Sequence, residues 1–169
     1  NNFHAKQPVG WMLSQDDAFE CEYSNYLPAK VGPSYFNKWQ SSGHLTDRSI
    51  AQQLAGLPNG RYLLSVRTGS GVIHQGASLF ANNDKTDMTT VVGDGAVSVK
   101  TVVTDGTLRF GVELKNYQSN DCKFDHFTLA YQGVDPTTGI GTTLNDKGEM
   151  TNGKLIYDLQ GRRLNTQPK

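Results

Sequence analysis

Residues 50–66 read IAQQLAGLPNGRYLLSV, and this stretch decides the fold class. Apolar and polar residues alternate on both sides of a Leu-Pro-Asn-Gly turn, so each flanking segment presents one apolar face. Pro58 presets φ for the turn, and Gly60 can adopt a positive φ. The stretch therefore predicts a β-hairpin and an all-β protein.

Composition agrees with a single β-rich domain that has a neutral partner. The 169 residues suffice for one buried core and a short appendage, and 18 Gly, 6 Pro and 19% charged residues suit a turn-rich chain. Lys+Arg and Asp+Glu number 16 each, so the chain lacks the charge that nucleic acid or an anionic membrane attracts. No apolar run approaches the roughly 20 residues of a membrane span. The first ten residues lack signal-peptide order, so the chain is expected to be a mature or excised fragment.

Alternation elsewhere predicts further strands at residues 96–103, 107–114 and 124–132. Asp105-Gly106 separates the first two of these and predicts a two-residue turn. Two other segments are predicted to be loops. Residues 20–39 are rich in aromatic side chains but interrupted by Pro and Gly, and residues 82–87 are polar.

These motifs resemble galactose-binding-like β-sandwich modules attached to secreted polysaccharide-degrading enzymes of Bacteroidetes bacteria. The first stretch contains the pattern Q-x-L-x-GLP-x-G-x-Y-x-L-x-V, and residues 101–112 later read TVVTDGTLRFGV. The last strand begins Phe124-Asp125-His126-Phe127, with His126 where the family usually has Asn. The match runs from about Gly10 to Gly133. The resemblance implies an antiparallel β-sandwich of jelly-roll type that binds carbohydrate without cleaving it.

The last part of the chain has a different character. Residues 134–153 are rich in Gly, Thr, Asp and Asn without periodicity, which is typical of a linker. Residues 154–164, KLIYDLQGRRL, resemble the start of the C-terminal sorting domain of type IX secretion in Bacteroidetes. The expected organisation is a module at 1–133, a linker at 134–153 and a truncated sorting domain at 154–169 that forms a short β appendage separable from the sandwich. The resemblance implies a secreted or cell-surface protein.

No catalytic motif is present in the sequence. The four histidines lack HExxH or HxH spacing, and Gly69-Ser70-Gly71 is not the GxSxG nucleophile elbow. Glycoside hydrolysis needs two carboxylates on opposite sides of a bond. The carboxylates that could serve are more typical of turns and ion pairs: Asp16, Asp17, Glu20, Glu22, Asp121 and Asp125. We therefore expect no enzymatic activity.

Sugar binding asks for exposed aromatic rings and a few hydrogen-bonding groups, which loops can supply. The predicted carbohydrate-binding residues are Tyr35, Trp39, His74, Gln75, Tyr117, Asn120 and Asp121. In the resembled modules the ligand lies across the loops at one end, including the loop before the closing strand, here residues 116–123. For Trp39 and Tyr117 the alternative is core packing, and both readings stay open. Trp11 is assigned to the core.

Calcium is the other site that the resemblance implies. Related modules hold a structural Ca²⁺ with a carboxylate near the first strand and the Asp of the closing strand. Asp125 matches that Asp, and Glu20 is its expected partner, with Asp16 and Asp17 as alternatives. The competing reading makes Asp125 a hydrogen-bond acceptor for a neighbouring loop. No other cofactor is expected.

The two cysteines, Cys21 and Cys122, are too far apart in sequence for a CxxC site. In an exported protein they could form a disulfide, which would contribute up to roughly 4–5 kcal/mol by closing a loop of about 100 residues. They could equally be two buried free thiols. The sequence leaves both readings open.

The expected function is to hold a tethered glycoside hydrolase near plant cell-wall polysaccharide, with xylan as the preferred ligand. The expected partners are therefore a polysaccharide or oligosaccharide, with no nucleic acid and no membrane, and the module is expected to be a monomer. Two other classes stay open. One is an adhesion or protein-interaction β-sandwich, and the other is a small glycan-active enzyme.

Overall fold

The computed structural model describes residues 8–23, 27, 31–68, 75–89 and 95–135, and the backbone of two short strands at 156–157 and 163–164. Regular secondary structure in these ranges is entirely β. They contain no helix long and apolar enough to cross a membrane. The predicted all-β class is confirmed.

The strands form two antiparallel sheets. In chain order they are β1 (Met12–Leu13), β2 (Glu20–Glu22), β3 (Tyr35–Trp39), β4 (Arg48–Leu54), β5 (Gly60–Arg67), β6 (Ala77–Ala81), β7 (Asp84–Asp87), β8 (Ala96–Val103), β9 (Leu108–Leu114), β10 (Asp121–Tyr131), β11 (Ile156–Tyr157) and β12 (Arg163–Leu164). The first sheet has the order β1-β4-β9-β6-β7. The second has the order β12-β11-β10-β3-β2, and β5 joins it by pairing with both β10 and β8.

The core lies between the sheets, where alternate residues of each strand point inward. In β8, for example, every second residue is buried. Trp11 packs against Phe36, Phe110 and Phe127 with ring centroids 4.9, 5.8 and 5.0 Å away. Such edge and tilted contacts stabilise a core beyond simple area burial. The assignment of Trp11 to the core is confirmed, and the two packed sheets form the predicted β-sandwich.

The predicted hairpin of residues 50–66 is wrong, because its two strands lie in different sheets. β4 pairs with β1 and β9, whereas β5 pairs with β8 and β10. Residues 55–59 therefore cross from one sheet to the other. Alternation fixes only that each strand has one buried face, and two such faces can meet across a sandwich core as well as share one sheet.

The Asp105-Gly106 turn is also a sheet crossing, since β8 and β9 belong to opposite sheets. The two crossings brace each other. Leu57 N donates to Gly106 O at 3.0 Å, and Gly106 N donates to Asn59 Oδ1 at 2.9 Å. These bonds replace the cross-strand ladder that a hairpin turn would close. The turn residues were recognised correctly, but their connection was not.

Both predicted loops contain strands. Residues 20–39 include β2 and β3, because the Pro and Gly residues are confined to the middle of the segment. Residues 82–87 include β7, a polar edge strand in which Lys85 Nζ lies 2.6 Å from Glu113 Oε1.

The closing strand was expected at 124–132 and begins earlier, at Asp121. Its ladder with β5 is irregular between Asp125 and Thr128, where His126 has a φ of 56°.

The cysteines are free thiols, so the disulfide reading is wrong. Cys21 is in register with Phe36 of β3, and Cys122 with Lys38 of the same strand. Two strand spacings put the cysteines about 9–10 Å apart, whereas a disulfide requires Cα atoms within about 7 Å. Burial raises the pKa of both thiols, that of Cys122 to about 12.

The C-terminal strands continue the second sheet, since Ile156 of β11 is paired with Ala130 of β10 and β12 is paired with β11. Residues 136–155, which include most of the predicted linker, lie outside the described ranges. The short β appendage is thus present at the edge of β10. The domain boundaries and the sorting-domain assignment stay predictions.

Candidate functional site

Three loops meet at one end of the sandwich, and backbone hydrogen bonds hold the first two together. Gln40 N donates to Asn120 O at 2.9 Å, and Leu45 N donates to Ser119 O at 2.8 Å. Asn120 Nδ2 returns a bond to Gln40 O at 2.9 Å. The loop at residues 40–47, which leads from β3 to β4, is therefore fixed against the loop that leads from β9 to β10.

The third loop is the turn before β6. Gln118 N donates to Gln75 O at 3.0 Å, and Lys115 N donates to Gly76 O at 2.8 Å. Gly76 has a φ of 98°, and a Cβ at this position would lie 2.5 Å from Lys115 O. Only glycine accommodates this approach. His74, a predicted binding residue, is adjacent in sequence but lies outside the described residues.

An exposed tryptophan and a carboxylate stand side by side at this end. Trp39 ends β3, Asp121 begins β10, and the two are in register. The Trp39 side chain is 58% exposed, so its ring faces solvent. Of the two readings that the sequence left open for Trp39, exposure is correct and core packing is wrong. Directly opposed residues of an antiparallel pair have Cβ atoms about 4.5–5.5 Å apart. Ring and carboxylate can therefore contact the same small molecule.

The polar groups beside Trp39 include two acceptors for which no described residue supplies a donor. Asp121 Oδ2 pairs with Lys123 Nζ, while Asp121 Oδ1 is buried without a hydrogen-bond donor. Asn37 is in register with Lys123, and its Oδ1 is likewise buried and unpartnered. Buried acceptors normally have donors, and each missing bond costs about 1–3 kcal/mol. Both atoms have almost no accessible surface, so a ligand beside Trp39 would contact the partly exposed remainder of the Asp121 side chain.

Toward the other end of β3 the same sheet face is covered. Tyr35 is 2% exposed, so its predicted role as an accessible binding residue is wrong. Asp125 lies on this part of the face, and its Oδ2 accepts a bond from Val31 N at 2.7 Å. The chain segment before β3 therefore contacts β10 here. Exposure is concentrated at the Trp39 end.

Tyr117 lies beneath the site rather than on its surface. Its side chain is 1% exposed, and its hydroxyl donates to Asp121 O at 2.9 Å. The core-packing reading is thus correct for Tyr117. The ring holds the start of β10 in place, so its contribution to the site is to position Asp121.

The residues expected to hold calcium do not form a cation site. Asp17 and Glu20 both pair with Lys38, at 3.1 and 3.6 Å, and the Lys38 ammonium lowers the pKa of Asp17. Asp125 accepts the Val31 amide instead. Within the described part of the chain no group of three His, Cys, Asp or Glu residues could hold a metal ion. Calcium needs six to eight oxygen ligands, so these residues do not fit the ion.

The sequence placed most of the site in the right loops. Trp39, Gln75, Tyr117, Asn120 and Asp121 all lie at this end of the sandwich. Lys123 was not predicted as a site residue, and Asn37 was considered for sugar binding but not included in the predicted set. Asn37 shares the face of Trp39, because it stands two positions before it on an alternating strand. Lys123 gave no signal, since its place beside Asn37 depends on the register of distant strands.

No protein-family model matches the chain, and no curated protein is similar to it. A solved structure is similar, that of TmCBM61 in complex with beta-1,4-galactotriose, with a TM-score of 0.58 at 17% identity. The match covers 73% of this chain and 90% of that one. The two share a fold. The predicted jelly-roll β-sandwich is thereby confirmed.

A second solved structure, a beta-glucosidase from Kluyveromyces marxianus in complex with glucose, aligns over 72% of this chain and 14% of that chain. Its identity is 14% and its TM-score 0.35, which is too low to support an argument.

Proposed function

We propose that this chain is a non-catalytic carbohydrate-binding module whose ligand lies against Trp39 at the loop end. The observation that carries the proposal is the exposed Trp39 ring in register with Asp121. The C–H face of a pyranose stacks on such a ring, and its hydroxyls donate to carboxylate and amide oxygens. Asp121, whose side chain is 27% exposed, offers a carboxylate of this kind.

The order of the surrounding loops supports the proposal. Hydrogen bonds from Gln40, Leu45, Gln118 and Lys115 fix the three loops to one another. A site that is already ordered loses little conformational entropy when a ligand binds. A weak ligand such as a short oligosaccharide can therefore bind without a rearrangement of the sandwich.

The proposed ligand is a neutral plant cell-wall polysaccharide, and two chemistries are the first to test. Xylan is the choice that follows from the sequence resemblance. A β-1,4-linked galactan is the choice that follows from the structural neighbour, whose complex contains beta-1,4-galactotriose. The zero net charge of the chain supports a neutral ligand.

The biological role that we propose is proximity. A module that binds polysaccharide raises the local concentration of a catalytic domain tethered to it. Secretion or cell-surface display, monomeric state and attachment to a glycoside hydrolase belong to the same proposal. They rest on the resemblance of residues 50–66 and 154–164 to the modules and sorting domains described above.

Binding without hydrolysis is favoured because the carboxylates have structural partners. These pairs are Asp17 and Glu20 with Lys38, Asp121 with Lys123, and Asp125 with the Val31 amide. A glycosidase needs a second carboxylate across the scissile bond from the first. His44 and His126, the histidines within the described ranges, are both exposed.

Affinity electrophoresis combined with a reducing-sugar assay tests the proposal. The protein should be retarded in gels containing xylan or β-1,4-galactan and should release no reducing ends from either. Trp39→Ala should weaken retardation while leaving the melting temperature close to that of the wild type, because the ring is 58% exposed. Turnover that Asp121→Asn abolishes would reject the binding-module proposal in favour of a glycan-active enzyme.

A further inference from the structure

A groove separate from the Trp39 site lies between the open edges of the two sheets. β8 pairs only with β5, and β7 pairs only with β6, within the described part of the chain. The groove between them has a volume of about 360 Å³, and its lining includes Arg61, Asp84, Lys100, Val102 and Gln132. This volume falls within the range of small-molecule sites.

The groove is distant from the Trp39 site. Asp121 begins β10 at the loop end, whereas Gln132 follows the last residue of that strand. A strand of this length spans about 30 Å or more. Any ligand of the groove is therefore independent of a ligand bound beside Trp39.

Two cationic side chains converge on the groove. Arg61 is in register with Val102, and Lys100 is two residues from Val102 on the same strand face. Diagonal neighbours of this kind have Cα atoms about 7–8 Å apart, within reach of long side chains. Neither Arg61 nor Lys100 forms an ion pair with another described residue. Both charges are available to an anionic group.

The groove also holds groups that can bind hydroxyls. Asp84 and Gln132 supply a carboxylate and an amide there. Two cations beside a carboxylate and an amide indicate a ligand with both an acidic group and hydroxyls.

We propose that this groove binds a uronic-acid residue of an acidic polysaccharide. The sugar carboxylate would pair with Arg61, whose guanidinium can donate two parallel hydrogen bonds, and with Lys100. The ring hydroxyls would bond to Asp84 and Gln132. The site lies outside the loop end, so it does not depend on the function proposed for Trp39.

An amide-resolved NMR titration with D-galacturonate tests this site, with D-galactose and acetate as matched probes. Galacturonate should shift the amide signals of residues 100–102 and Gln132. Galactose lacks the carboxylate and acetate lacks the hydroxyls, so each should bind at least about tenfold more weakly. Absence of shifts at the groove, or equal shifts with acetate, would overturn the proposal.

Substitutions locate the ligand. The double substitution Arg61→Gln with Lys100→Gln should weaken galacturonate binding at least about tenfold. Arg67→Gln is the control, because Arg67 lies on the same strand, exposed and outside the groove. Trp39→Ala should leave galacturonate binding unchanged. Loss of binding in Trp39→Ala but not in the double variant would place the acidic sugar at the loop end and reject the groove.

Discussion

Asp121 lies directly across the β3–β10 ladder from Trp39, so a half-buried carboxylate and an exposed indole occupy one row of the sheet. Both the side chain and the backbone of Asp121 are held in place. Lys123 pairs with Oδ2, and the Tyr117 hydroxyl bonds to the backbone carbonyl. The indole, in contrast, has open solvent in front of it. A rigid polar group beside an accessible ring is an arrangement suited to sugar recognition.

Tyr117→Phe should separate the support of Asp121 from the packing of the core. The substitution removes the bond to Asp121 O and should lower the free energy of unfolding by about 1 kcal/mol. Tyr117→Ala should cost about 3–5 kcal/mol, because it leaves a cavity under the loops. Chemical denaturation measures both. A Tyr117→Ala variant as stable as the wild type would contradict the burial of this ring.

Gly76→Ala should destabilise the loop end more than a glycine substitution in open space. Gly76 has a positive φ and backbone atoms of Lys115 and Tyr117 within 3 Å of an added Cβ. Gly10→Ala is the control, since Gly10 has a φ of 80° and no atom within 4 Å. The control should lose only the backbone strain of about 1–2 kcal/mol. Equal melting temperatures for the two variants would show that the third loop is not fixed as described.

The free thiols predict a defined alkaline behaviour. The pKa of Cys122 is raised from 9.0 to about 12 by burial, so this thiol stabilises the fold fully below pH 9 and loses its contribution as pH rises toward 12. At pH 10 the loss should be about 1.4 kcal/mol. Cys122→Ala should therefore show a shallower decline of stability between pH 8 and 10. Reductant should leave the melting temperature unchanged, and a decrease on reduction would indicate a disulfide.

Calcium removal should leave the protein intact. Because Asp125 accepts the Val31 amide and Glu20 pairs with Lys38, neither carboxylate is free to depend on a cation. The melting temperature in excess EDTA should equal that in millimolar CaCl₂. Asp125→Ala should lower stability by about 1–3 kcal/mol in both buffers. A calcium-dependent increase that Asp125→Ala abolishes would restore the cation site.

The sequence could predict which residues form strands, but not how strands are joined. In residues 50–66 the alternation identified β4 and β5, yet the partner of each strand lies far away in sequence. Leu57 bonds to Gly106 rather than across its own turn, and no local signal encodes that contact. The alternation of apolar and polar side chains shows that a strand has one buried face. Which sheet the strand joins depends on the packing of the whole core.

The same limit applies to the aromatic residues of the site. The sequence around Trp39 did not differ from that around Tyr117 in any way that predicts exposure, since both residues adjoin polar loop residues. Tyr117 packs in the hydrophobic core and its hydroxyl donates to the Asp121 carbonyl, whereas Trp39 is the last residue of β3 and faces outward. Tyr35 shares that outward face but lies where the segment around Val31 contacts β10. Burial at these positions is decided by neighbouring segments, which periodicity does not describe.

The central claim is that Trp39 is the stacking ring of a carbohydrate site, and calorimetric titration of two variants tests it most directly. Wild-type protein, Trp39→Ala and Tyr23→Ala would be titrated with xylotriose and β-1,4-galactotriose. Tyr23 is the matched control, since it is 52% exposed and follows Glu22, the residue in register with Tyr35 at the other end of β3 from Trp39. We predict that at least one sugar binds the wild type. Trp39→Ala should lose about 1–2 kcal/mol of binding free energy without unfolding, and Tyr23→Ala should lose none. Unchanged affinity in Trp39→Ala, or loss in Tyr23→Ala alone, would contradict the claim.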